Sequence, residues 1–109
     1  MKALKLMPND NGYFFTRQLV RRSYKRDRID EIQTLMGKKI YNEDIQGRSI
    51  ASMLWVFAAI ETGKGNSKEA RALFNRGKAE GVTGQYLKGN DIEFYKKIAP
   101  ILKPLGDLD

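Results

Sequence analysis

The chain has 109 residues, 41% hydrophobic and 30% charged, with only three prolines: enough apolar material for one modest core and little sign of long disordered segments. It contains neither cysteine nor histidine, which removes disulfide frameworks, thiolate metal sites, iron–sulfur clusters, cysteine nucleophiles, the Ser-His-Asp triad and most zinc sites. The net charge of +7 is concentrated at one end, since residues 1–28 carry eight Lys or Arg against two Asp, whereas the rest of the chain carries twelve against eleven.

In chain order, residues 2–7 (KALKLM) loosely alternate lysine with apolar residues and read as a short strand or, in preference, an extended N-terminal arm, closed by Pro8 and the turn-prone Asn9-Asp10-Asn11-Gly12. From Tyr13 to about Tyr24, helical spacing places Phe14 or Phe15 with Leu19, Val20 and Tyr24 on one side and most arginines on the other, an amphipathic basic helix. Ile29, Ile32, Leu35 and Met36, followed by Gly37 as a C-terminal cap, predict a second helix or a continuation of the first. After a polar stretch, Ile50, Met53, Leu54, Trp55, Phe57, Ala58 and Ile60 are apolar on more than one side of a helix, which predicts the central and most buried element. Gly63 and Gly65 end it. Ser67 is the expected N-cap of the next helix, with Glu69 in its first turn, Ala70, Leu73, Phe74 and Gly77 as its apolar face, and Gly81 as its stop. A last helix starts at an Asn90 or Asp91 cap and presents Phe94, Tyr95, Ile98, Ile101 and Leu102 to the core, with Pro100 a candidate bend.

The expected architecture is therefore all-α: one domain over residues 1–109, a small bundle of four to five helices around a central antiparallel hairpin. Residues 54–77 of that hairpin, LWVFAAIETGKGNSKEARALFNRG, carry Phe57, Ala58, Glu61, Gly65, Asn66, Ala70, Arg71, Phe74 and Arg76 in an order that resembles the tetratricopeptide-type helical hairpin, closest to the half-a-TPR repeat. The order has a physical sense. Alanines allow close helix crossing, phenylalanines fill the space beside them, and Gly-Asn makes the reversal, with Glu61 and Arg71 candidates for an ion pair across it. Two positions depart from the pattern: the tryptophan falls one place late, at Trp55 behind Leu54, and the alanine expected after the Arg is Gly77. The resemblance implies a scaffold that binds proteins or peptides, in its half-a-TPR form one associated with RNA-processing complexes, and it implies no catalytic residues.

The sequence offers no GxGxxG or P-loop spacing, and Gly63-Lys64-Gly65-Asn66-Ser67 reads as a plain turn. Asn42-Glu43-Asp44 with Asp27, Asp30 and Glu31 would hold Mg²⁺ only if folding gathered them, and acids at helix starts explain them more simply. No catalytic, cofactor or metal residue is assigned, and the chain reads as a non-enzyme.

The candidate binding residues are Arg17, Arg21, Arg22, Tyr24, Lys25, Arg26 and Arg28, a basic run opposed only by Asp27. Such a run is either a solvated face that keeps the protein soluble or a binding surface for an acidic protein or phosphates. Two functions follow: an adaptor whose hairpin and basic helix dock on an acidic protein partner, or a nucleic-acid module in which the cations contact phosphates while Tyr24 or Tyr13 stacks on a base. Without a secretory signal pattern or an apolar run longer than Met53–Ile60, a membrane span is not expected, and a cytoplasmic location is.

Overall fold

The computed structural model describes residues 14–28, 30, 32 and 48–109. The arm expected at 2–7, most of the helix expected over 29–36, the polar stretch that follows it, Tyr13 and the acidic residues 42–44 lie outside the described residues. Five α-helices have described bounds: α1 (Phe14–Lys25), α2 (Arg48–Gly63), α3 (Ser67–Ala79), α4 (Gly84–Asn90) and α5 (Ile92–Leu102), followed by a 3-10 turn at Lys103–Leu105. There is no strand among the described residues, so the all-α class holds, and Asp30 and Ile32 are also helical.

The arrangement follows from α2. Every residue from Ala51 to Glu61 is buried, as expected for a helix that is apolar all round, and α2 is covered by α1, α3 and α5. Its partner α3 presents the face read from the sequence, Ala70, Leu73, Phe74 and Gly77, all buried.

Where the two helices meet, the indole of Trp55 stacks on Phe74 with ring centroids 5.0 Å apart and planes inclined by 20°, and its Nε1–H donates to the Phe74 carbonyl at 3.1 Å. This position is open only because residue 77 has no side chain: a Cβ on Gly77 would stand 2.6 Å from both Cδ1 and Nε1 of the indole. The two departures from the repeat-like pattern therefore sit against one another. Trp55 turns towards α3, and Gly77 makes room for it.

Three helices end in the same hydrogen-bonded closure, in which the third residue past the helix end bonds a carbonyl five residues back and its predecessor bonds one three residues back. In α2 the donors are Asn66 to Glu61 at 2.9 Å and Gly65 to Thr62 at 3.1 Å; in α3 they are Val82 to Gly77 and Gly81 to Lys78. The residue that must turn left-handed is glycine in both, with φ 84° at Gly65 and 97° at Gly81. In α1 the same pair of bonds forms, Arg28 to Ser23 and Asp27 to Tyr24, but the left-handed residue is Asp27, with φ 60°.

Several local expectations are corrected. Ser67 is not the N-cap: it is the first residue of α3, and Asn66 holds the cap position without a side-chain cap bond. The reason is economy of chain, because Asn66 also closes α2, and its side-chain amide turns back to Glu61 Oε1 at 3.4 Å. The expected Glu61–Arg71 pair is replaced within the turn. Glu61 is buried and Lys64 Nζ stands 3.4 Å from its Oε2, while Arg71 is exposed. Helix α4 was not anticipated; Thr83 caps it by accepting the Tyr86 N–H at 3.0 Å, and Leu87 anchors it in the core. In α5, Phe94, Ile98, Ala99 and Leu102 form the buried stripe, whereas Tyr95 is half-buried and Ile101, at the edge of the stripe, is exposed.

Gly77→Ala provides a test of the Trp55 seat. In a helix interior this change ordinarily gains roughly 0.5–1 kcal/mol, but here overpacking against a rigid, hydrogen-bonded indole should reverse the sign and cost about 1–3 kcal/mol in urea unfolding. In a Trp55→Leu background the same substitution should recover its ordinary gain. Equal effects in both backgrounds would show that the indole does not occupy the glycine's place.

Candidate functional site

The candidate site is built on α1, whose length and 100° advance per residue sort its side chains into rows. Val20, Ser23 and Tyr24 point into the bundle and are buried. Tyr24 meets the Phe94 ring edge-on at a centroid distance of 5.8 Å.

Beside them lies a row one helical turn apart, Arg21 and Lys25, that faces α5. The Arg21 guanidinium lies 5.6 Å from the centroid of Phe94, and its Nη2 is 3.5 Å from Ser52 Oγ. Lys25 Nζ donates to Asp91 Oδ2 at 2.9 Å. Arg17 shares this row, but its side chain lies outside the described residues.

Asp91 joins two functions in one carboxylate. Its Oδ1 accepts the Phe94 N–H at 3.2 Å, capping α5, while Oδ2 takes the Lys25 ammonium. Partial burial pushes the Asp91 carboxyl upward, but the Lys25 hydrogen bond, the Phe94 N–H and the charges of Lys25 and Arg21 together hold it below the ordinary carboxylate value. Two of the basic residues are thus structural cations that fasten α1 to the start of α5.

The third row is exposed. Gln18 and Arg22 lie on the outer side of α1, Arg26 continues the row four residues on in the turn that follows, and Arg28 is exposed beyond it. Neither Arg22 nor Arg26 is paired with a described residue. The basic run is therefore divided, with Arg22, Arg26 and Arg28 outward and Arg21, Tyr24 and Lys25 inward. Tyr24, expected to be available for stacking on a base, has its ring inside the core.

Against protein-family models, curated proteins and solved structures, the chain matches nothing.

The sequence reading missed the groups that receive α1. Asp91 and Lys97 lie 66 and 70 positions away from their partners Lys25 and Asp27, beyond any local pattern. Lys97 pairs with Asp27, the left-handed residue that ends α1, and its Nζ also lies 3.4 Å from the Lys25 carbonyl and 5.7 Å from the Tyr24 ring centroid. Among the described residues no group of three or more acidic side chains is placed to hold a metal ion, and no helix is long and apolar enough to cross a membrane.

Two pH limits follow. For Asp91, whose folded-state value is depressed, the stabilisation is complete above the unfolded carboxylate range near about pH 4 and is lost as pH falls through the lower folded value. Asn is nearly as good an N-cap as Asp, so Asp91→Asn should keep the cap, lose about 1 kcal/mol at neutral pH and flatten the acid limb of the stability curve. For Tyr24, burial first and the nearby Asp27 charge second push the phenol up to about 12. The stability it contributes is present below about pH 10 and falls as pH rises towards that value. Ultraviolet titration should find a late tyrosine ionisation, and Tyr24→Phe should remove it.

Proposed function

We propose that the protein is a non-catalytic binding module that docks on an acidic protein partner, with the helical hairpin α2–α3 as its rigid scaffold and the outer side of α1 as its charged contact. The observation that carries this reading is the division of the basic segment. Arg22 and Arg26 stand one turn apart, exposed and unpaired with any described residue, with Arg28 exposed beside them. An arginine row of this kind matches carboxylates in bidentate geometry and steers association with an acidic surface. The repeat-like pattern of residues 54–77 is compatible with a scaffold role of the tetratricopeptide kind.

The burial of Tyr24 favours this reading over the nucleic-acid alternative. Binding of single strands draws much of its affinity from bases stacked on exposed aromatic side chains; of the two candidates Tyr24 is buried, and Tyr13 lies outside the described residues. Phosphate contacts alone would leave weak, salt-sensitive binding. A cytoplasmic location accords with a chain free of cysteine.

The test replaces Arg22, Arg26 and Arg28 together by Gln. The variant should keep the native circular dichroism and thermal unfolding, and should lose capture of the partners that the native protein retains on a column. Random-sequence DNA and RNA at two salt concentrations serve as the comparison, and both proteins should bind them weakly. If instead the native protein binds nucleic acid tightly and its log–log salt slope drops by about one for each arginine removed, the surface is a phosphate-binding one. Partner capture unchanged in the folded variant would refute the docking role of α1.

A further inference from the structure

Where the C-terminal ends of α1 and α2 meet the second half of α5, the structure has a pocket of about 330 Å³. Ala59 and Ile60 of α2 and Ile101 of α5 line it with apolar surface, and Gly63 leaves part of its edge without a side chain. Because Gly63, Lys64 and Ile101 are themselves exposed, the pocket opens onto the protein surface. A free small molecule would be only partly covered there, whereas a side chain presented by another protein would be covered from both sides.

The charges at the edge of the pocket cancel in pairs. Lys97 is bonded by Asp27, which lines the pocket with it, and Lys64 stands 3.4 Å from the buried carboxylate of Glu61. The Tyr24 hydroxyl is buried, out of an occupant's reach. An occupant therefore meets neither a free donor nor an uncompensated charge, and a polar group placed here would be desolvated without gaining a bond. The pocket suits an uncharged apolar group.

Just outside this neutral edge the surface is cationic. Arg26 and Arg28 are exposed on either side of Asp27 in the chain, and Arg22 stands one turn before Arg26. Arg22 and Arg26 are unpaired with any described residue. An apolar hollow bordered by cations complements an apolar side chain flanked by acidic ones. The exposed charges steer association and contribute little to holding the complex, whereas an apolar anchor buried in a hollow supplies affinity and slows dissociation.

Given the docking role proposed for the outer row of α1, on which this rests, we infer that the pocket takes one large apolar side chain of the same acidic partner. The anchor lies on Ala59, Ile60 and Ile101, and carboxylates flanking it in the partner meet Arg22 and Arg26.

The test is an amide NMR titration of the full chain at low salt with two blocked acidic heptapeptides, alike except for phenylalanine or serine at the central position. The phenylalanine peptide should shift the amides of Gly63, Lys64 and Ile101 saturably. It should bind roughly tenfold more tightly than the serine peptide, which should leave those amides unmoved. Ile101→Gln, at a partly exposed position, should bring the phenylalanine peptide down to the affinity of the serine peptide and leave the latter unchanged. Should that variant fail to fold, Gly63→Leu gives the same readout, since a Cβ at Gly63 meets nothing within 4 Å. Arg22→Gln with Arg26→Gln should weaken both peptides and keep the preference between them. Equal binding of the two peptides, lost for both in the arginine variant, would overturn the anchor and leave the charged docking standing. Binding of both peptides unchanged in the arginine variant would refute the docking row and the anchor together. Toluene saturating the same amides as tightly as the phenylalanine peptide would assign the pocket to a free apolar molecule, and that result, or no saturable shift at all, would also overturn the inference.

Discussion

The indole of Trp55 can lie at the meeting of α2 and α3 only because position 77 carries no Cβ, and the rest of the structure depends on that fit. A helix that is apolar on every side, as α2 is, has to be covered on every side, and the first covering sets where the others can go. Trp55 fixes α3 by stacking on Phe74 and by donating to the backbone of the same residue. One side chain thereby supplies apolar area and a directional bond, and its polar N–H is not left unsatisfied in the core. With α3 fixed, the remaining sides of α2 are closed by α1 and α5, which also contact one another.

That contact explains how a helix so rich in cations joins a core. Burying the stem of a long basic side chain stabilises the fold when its charged head meets an acceptor, and Lys25 finds one in the carboxylate that starts α5. Arg21 lies over the face of Phe94 from the same row. The inward cations are thus used up in holding α1 in place, and the outer row owes its exposure to this arrangement. At the end of α1 the chain departs from glycine and places Asp27 left-handed, where it meets Lys97. A residue that is locally unfavourable and makes a long-range contact ties this helix end to α5.

Most of the fold was legible in the sequence. The apolar run of α2, the face of α3 from Ala70 to Gly77 and the Asp91 cap all rest on local signals of period 3.6 or on capping chemistry. Helix α4 escaped because seven residues with Leu87 as their one fully buried apolar anchor show no periodicity, and its Thr83 cap is a weak signal alone. Ser67 reads as a cap because the sequence does not reveal that Asn66 closes one helix and opens the next. The basic segment was legible as a composition and not as a surface. Its amphipathic spacing put Tyr24 with the apolar residues, yet its chemistry also suggested stacking, and the choice between them is made by Phe94, far along the chain. Asp91 and Lys97 share that obstacle, since long-range pairs leave no local trace.

Trp55 is the chain's single tryptophan, so its fluorescence reports directly on the seat on which this account rests. In the native protein its emission should be strongly blue-shifted and almost inaccessible to iodide or acrylamide, and both properties should be lost in one transition that coincides with loss of helical circular dichroism. Native emission resembling free indole in water, with quenching as complete as in the unfolded chain, would contradict the burial of Trp55 between α2 and α3.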